Sequence, residues 1–332
     1  MRRLLPVLFV LLAACSSGGD DGATTTTTID VPASTTTAPA VETTTSTAPP
    51  PRLPAAATSG AVLALQTPAG VVVPVTGGAP GAWRVTTPCG RPASVAGGTP
   101  IHGATVLLDP GHGGIETGAS GSNGLVEKDL NLTVANLTKA ALEREGATVV
   151  LTRTGDYRVT LDVRSALAQR IKPPVMVSIH HNGGADGPSD RPGTEMYYQH
   201  AYPASKRLAG LLYEEVLGVF AGREGVDWHA NVDAGAKVRL NGSGGDYYGI
   251  LRGTNGVTTV LSEALFLSAS ASEAELLARP DVQQAEAEAI TRAVRRFMLG
   301  NDPGSGFVDP IPRTTPAGPG GGSTGCQDPP LG

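Results

Sequence analysis

The chain predicts an α/β fold: a mostly parallel sheet flanked by helices on both faces, with a small N-terminal β appendage. Three observations predict it. Apolar strand-like runs alternate with helical runs between residues 103 and 299. The strand runs are apolar at successive positions, as in strands covered on both faces. Residues 60–101 instead break into short apolar stretches between Gly- and Pro-containing turns.

The appendage, 59–102, holds three expected strands, Ala61–Gln66, Val71–Val75 and Trp83–Thr86, punctuated by T-P-A-G, T-G-G-A-P-G and P-C-G. Wall binding and plain packing are both open for it. In the main domain, 103–299, Thr105–Asp109 reads as a buried strand. Glu127–Glu145 reads as a helix with Leu130, Val134, Leu137 and Ala141 on one face, stopped by Gly146. Thr148–Arg153 is a strand, Leu161–Ile171 a helix, and Val175–His180 a strand after Pro173 and Pro174. Thr194–Gln199 is strand-like, and Ala204–Phe220 is a helix with Leu208, Leu211, Leu212, Val216 and Phe220 inward. Val257–Glu263 is the last strand. Glu273–Leu277 and a helix opened by Pro280 and running to Met298 close the domain.

The N-terminal run is expected to direct export. M-R-R precedes an apolar run, Leu4–Ala14, too short for a membrane span of ~20 residues. The run ends L-A-A-C, and small residues before Cys15 resemble a bacterial lipobox. Residues 1–15 are therefore read as a lipoprotein-type signal, with a plain secretory signal as the alternative. Lipid on Cys15 would anchor the chain to the outer face of the membrane; without it the chain is secreted into the wall space. Residues 16–58, rich in Thr, Ala and Pro, lack the apolar groups to offset chain entropy and read as a disordered tether. Residues 300–332 form a Gly/Pro-rich tail. With Cys15 lipidated, Cys89 and Cys326 remain as an even pair in an oxidising compartment, and a disulfide between them is expected.

A net charge of −5 offers no basic footprint for nucleic acid, and 4% aromatics offer no stacking platform. A monomer is expected.

Four segments carry chemistry. His112, in D-P-G-H-G-G, follows the first main-domain strand, where glycines permit a tight turn. Asp109 is open to two readings, an orienting partner of His112 or a strand-end group satisfying loop amides. Glu127 opens a helix three residues before Leu130, on its inward face; a metal ligand and a first-turn dipole partner are the two readings. S-I-H-H-N puts His180 and His181 at a strand end, where only one can face a given side, and spacing does not choose between them. Asn182 is a candidate loop anchor. Glu263 ends an apolar strand, which would raise its pKa toward a range useful for proton transfer; a strand cap or partner of Arg252 is the alternative. Strand ends of an open α/β sheet converge on one edge. Two imidazoles, a carboxylate and a second carboxylate there form the parts list of a zinc hydrolase. His102, His200 and His229 read as surface or satisfied residues.

These motifs, with T-R-T-G-D at 152–156, L-D-V-R at 161–164, G-T-E-M-Y-Y at 193–198 and D-Y-Y-G-I-L-R at 246–252, occur in an order that resembles the zinc-dependent N-acetylmuramoyl-L-alanine amidases of the type 3 family. The resemblance covers about residues 103–299. It implies that His112, Glu127 and His180 hold one zinc ion and that Glu263 is the catalytic carboxylate. It implies hydrolysis of the amide between N-acetylmuramic acid and L-alanine in peptidoglycan, in cell-wall remodelling and cell separation. A zinc peptidase of the wall and a non-catalytic wall-binding lipoprotein are the alternatives. Where the family has Val-Glu-x-Gly-Phe, this chain has Ser262-Glu263-Ala264-Leu265-Phe266, with Ala269 in place of a common Asn, so the turn beside Glu263 is expected to be reshaped. Residues 183–193 and 222–245 are Gly-rich and show no helix of the kind that plugs the site in some members, so an open site is expected. Lys237, Arg239 and Tyr247 are candidate contacts for the carboxylates of an anionic wall peptide.

Overall fold

Six strands form the central sheet of a computed structural model that describes residues 51–309 and 321–332. The signal run, Cys15, the tether up to residue 50 and tail residues 310–320 lie outside the described residues. The described residues form one compact unit. Its elements are β1 Ala64–Gln66, β2 Val72–Gly77, β3 Trp83–Thr86, β4 Pro92–Val95, β5 Thr99–Ile101, β6 Val106–Pro110, α1 Glu127–Arg144, β7 Val149–Leu151, α2 Leu161–Ile171 and β8 Val175–Asn182. They continue with β9 Gly187–Pro188, β10 Glu195–Tyr198, α3 Pro203–Phe220, β11 His229–Ala230, β12 Ala236–Lys237, α4 Gly249–Gly253, β13 Thr259–Phe266, α5 Ala271–Leu277 and α6 Pro280–Leu299.

The central sheet has the order β12-β10-β13-β8-β6-β7. β7, β6, β8 and β13 are parallel, while β10 runs antiparallel to β13. A parallel return needs a crossover, usually helical. The chain goes from β8 to β10 with no helix between, and comes back reversed. Alternate residues of each strand feed two cores. Val106, Leu108, Val177 and Ile179 pack under α1, α3 and α6, whereas Leu107, Met176, Tyr197 and Leu261 pack under α2 and α4. That two-sided burial is why the strands lack polar alternation.

The N-terminal appendage is a five-stranded antiparallel sheet, β4-β3-β2-β1-β5, around Leu65, Val73, Trp83 and Val85. It contains β4 and β5 beyond the three strands expected, because both are short and each holds a proline, a residue that argues against a strand. Residues 51–58, read from composition as tether, run along the unit: Leu53 is buried in the main core, and its amide donates to the Glu145 carbonyl. At the other end, Ala236 bonds to Gly306 and Val308, so the tail covers the free side of β12. Cys89 and Cys326 form the expected disulfide, with Cα atoms 5.7 Å apart.

Candidate metal and catalytic site

The carboxyl ends of β6, β8 and β13 lie side by side, and each delivers one of the expected polar groups. His112 follows β6 in a left-handed conformation, φ 60°, sparsely populated for a residue with a side chain. Two buried arginines hold the turn that contains it. Arg153 donates to the carbonyls of Pro110 and Gly111, at 3.0 and 2.9 Å. Arg164 donates to Pro110 and His112, at 2.8 and 2.6 Å. Burial and the neighbouring Arg164 charge push Arg153 down to about 10. Gly111 has no room for any other residue: a Cβ there would fall 2.1 Å from the His180 ring.

Glu127, the first residue of α1, is buried despite its charge. Its Oε2 accepts from the Ala119 amide at 2.8 Å. Its Oε1 lies 3.2 Å from His112 Nε2 and 3.0 Å from His180 Nδ1. A Cβ on Gly118 would sit 2.3 Å from Glu127 Oε2, so this cradle too requires glycine. Burial alone would raise the Glu127 carboxyl, but the two imidazoles hold it well below the usual range. Burial pushes His180 down, which favours the neutral ring that a metal needs.

Glu263 on β13 is the register partner of His180 on β8 and of Glu195 on β10. Burial pushes its carboxyl well above the usual range, and the charges of Glu127 and Glu195 add to this. Its Oε2 is buried without a hydrogen-bond partner. β13 continues past Glu263 with a shift of register before Phe266, and Leu265 is taken into the core, so the departure from the family pattern is absorbed as a bulge. His112, His180, Glu263, Tyr247, Tyr248 and Arg252 lie around one cavity of about 380 Å³.

The donor set fits a zinc ion. His112, Glu127 and His180 each offer one ligand atom, all within 4.8 Å of one another. Tetrahedral ligands at ~2.0 Å from zinc stand about 3.3 Å apart, close to the separations of Glu127 Oε1 from the two ring nitrogens. A mixed imidazole and carboxylate set suits zinc better than magnesium or calcium.

Other expectations resolve differently. Asp109 does not reach an imidazole; its carboxylate binds Thr152, Ser178 and Arg164 beneath the turn. His181 points away from Glu127's pair, between Asn131 and Glu286 at 2.8 and 3.1 Å. Asn182 donates to Glu195 Oε2 at 2.7 Å rather than to loop backbone. Arg252 binds the carbonyls of Asp246 and Tyr247, not Glu263. Lys237 is buried between Glu195 and Asp233, both at 2.8 Å, and is not offered to a ligand. Arg239 stacks on Tyr247, 3.7 Å from its ring centre. His200 pairs with Asp246 at 3.1 Å, and His102 meets the Ala61 carbonyl at 3.2 Å. Glu195 and the roles of Arg153 and Arg164 were not read from sequence. Arg164 had a signal: it stands three residues before Leu167, on the buried side of α2.

Comparison with known proteins gives this arrangement a family. The N-acetylmuramoyl-L-alanine amidase family model matches residues 106–296, and the chain belongs to that family, the type 3 amidases. Uncharacterized protein YqiI of Bacillus subtilis (strain 168) is 35% identical over 221 residues, covering 65% of this chain and 97% of YqiI. N-acetylmuramoyl-L-alanine amidase LytC of the same organism is 41% identical over 112 residues, 33% of this chain and 22% of LytC. The match thus spans less than a quarter of that curated amidase. Among solved structures, Cwp6 from Clostridium difficile is similar with a TM-score of 0.51 and 28% identity, over 59% of this chain and 29% of Cwp6.

Proposed function

We propose that the chain hydrolyses the amide between N-acetylmuramic acid and L-alanine in peptidoglycan, with one zinc ion held by His112, Glu127 and His180. The observation that carries this reading is the meeting of these three ligand atoms within 4.8 Å at the edge of a cavity that also contains Glu263. Zinc bound there would supply Lewis acidity, polarising the scissile carbonyl and bringing the attacking water to a pKa near ~7.

The chain's own groups handle the proton. Glu263 Oε2 is buried and free to accept one. It takes a proton from the attacking water as the new C–O bond forms, then gives it to the nitrogen as the C–N bond breaks. Its raised affinity for a proton strengthens it as the base, and the leaving amine, a stronger base still, draws the proton off in the second half. The Arg153 and Arg164 bonds hold His112 in place before substrate arrives, so no ordering is needed at the moment of reaction.

The setting belongs to the same proposal. The L-A-A-C run directs export and lipid attachment at Cys15, so the enzyme works from the membrane surface into the wall, in remodelling and cell separation. Among the described residues no helix is long and apolar enough to cross a membrane. Metal content and turnover of His180→Ala and Glu127→Ala test the site: both variants should lose the ion and nearly all hydrolysis of peptidoglycan. Undiminished turnover in either would overturn the assignment.

A further inference from the structure

We propose that Asp227, His229 and Glu273 form a second divalent-metal site, which fastens the loop between α3 and β12 to the start of α5. It shares no residue with the His112 site.

Three donor atoms from two distant segments meet here, all within 4.8 Å of one another. His229 Nδ1 lies 3.1 Å from Asp227 Oδ1 and 3.8 Å from Glu273 Oε2. The Asp227 carboxylate is held from behind by hydroxyls: Ser270 donates to Oδ1 and Ser272 to Oδ2, each at 3.1 Å. Glu273 is held likewise, its Oε1 accepting from the His229 amide at 3.2 Å. Oriented ligands with such supporting bonds are what a metal site requires.

Glu273 supplies the independent observation. Its side chain is fully buried, at 0% exposure, and Oε2 has no hydrogen-bond partner. A single imidazole N–H serves one acceptor, and Asp227 is the nearer. That leaves a buried carboxylate oxygen aimed at a second carboxylate and a ring nitrogen, an arrangement costly unless a proton or a cation lies between them. One imidazole with two carboxylates favours zinc or another first-row divalent ion over calcium or magnesium, which prefer all-oxygen shells. The half-exposed Asp227 leaves a side open to water for further coordination.

The site has a structural consequence. The same loop carries Asn231 and leads into β12 with Lys237, and these two bind Glu195 Oε1 at 3.1 and 2.8 Å beside Glu263. A metal clasp at Asp227 and His229 fixes the chain just ahead of both donors.

The test is zinc stoichiometry. The purified full chain is stripped with a chelator, dialysed to equilibrium against zinc, and its metal content measured by elemental mass spectrometry. The wild type should hold two equivalents. His229→Gln, Glu273→Gln and His180→Ala should each hold one, and His180→Ala combined with Glu273→Gln none. Glu273→Gln keeps the side chain's size and its Oε1 acceptor, so it separates a lost ligand from a lost fold. A single wild-type equivalent that disappears with His180→Ala would overturn the proposal and leave a hydrogen-bonded clasp. Two equivalents that survive both His229→Gln and Glu273→Gln would overturn it as well. If both variants lose all zinc, anomalous diffraction from zinc-loaded wild-type crystals decides: a peak between the three side chains supports the site, and its absence overturns it.

Discussion

Glu195 and Glu263 stand directly opposite each other on antiparallel strands, and their carboxylates meet different surroundings. Glu195 is saturated: Asn182 and Tyr197 donate to one oxygen, Asn231 and Lys237 to the other. Glu263 has a buried oxygen with no hydrogen bond. Two facing carboxylates thus differ through their neighbours: one is a fixed charge paired with Lys237, and the other keeps an open oxygen for the proton transfer proposed above.

Lys237 is the cation that makes the fixed charge tolerable. Lys237→Met should destabilise the fold by about 3–5 kcal/mol, because it leaves Glu195 buried and uncompensated. The denaturant midpoint should fall accordingly. Adding Glu195→Gln should recover part of the loss, and strictly additive effects would show that the pair is not coupled.

Glu263→Gln should keep zinc at the His112 site and lower turnover by about 10²- to 10⁴-fold, the usual worth of a positioned proton carrier. Gln has the same shape and cannot accept the proton. Wild-type turnover in this variant would favour a role for Glu263 in strand geometry only.

Acid should loosen the turn beneath His112. Burial would raise the Asp109 carboxyl, but Arg164 and the hydroxyls of Thr152 and Ser178 more than offset this and hold it below its ordinary 3.8. A carboxyl with a lowered folded-state pKa gives stability that is fully present above the unfolded value and is lost as pH falls through the folded one. Unfolding free energy should therefore decline below about pH 4, and Asp109→Asn should flatten that decline while weakening the fold at neutral pH. An unchanged pH profile in Asp109→Asn would contradict the sign argued here.

The disulfide should matter to stability and to the cavity rim. Beyond Cys89, the segment around Cys326 is tied by Arg158 to the Thr324 carbonyl at 2.7 Å. Gly321, which lines the cavity, donates to Glu116 at 3.1 Å and accepts from the Leu161 amide at 3.0 Å. Replacing both cysteines by serine should cost about 2–5 kcal/mol. The same denaturation series measures it, and an unchanged midpoint would mean the remaining contacts hold the tail unaided.

Much of this was legible in the chain. Leu161–Ile171 was legible because its apolar period marks it as a helix and the prolines after it bound its C-terminal end. The meeting of His112 and His180 beside Glu127 was legible because the ends of β6 and β8 and the start of α1 converge on one edge. What escaped was long-range polar pairing. Nothing near Glu195 announces Lys237, and nothing near His181 announces Glu286, since those partners belong to elements far along the chain. His229 looked solitary for the same reason; Glu273, which faces it, lies 44 residues on. The short α4, bounded by glycines, carried too few periods to read as a helix.

The most direct test of the central claim is the identity of the products. Purified peptidoglycan is incubated with the zinc-loaded chain, with and without a chelator, and the soluble fragments are identified by mass spectrometry. The account predicts free stem peptides that begin with alanine and are absent from the chelated sample. Fragments cut elsewhere in the stem, or the same products in both samples, would contradict it.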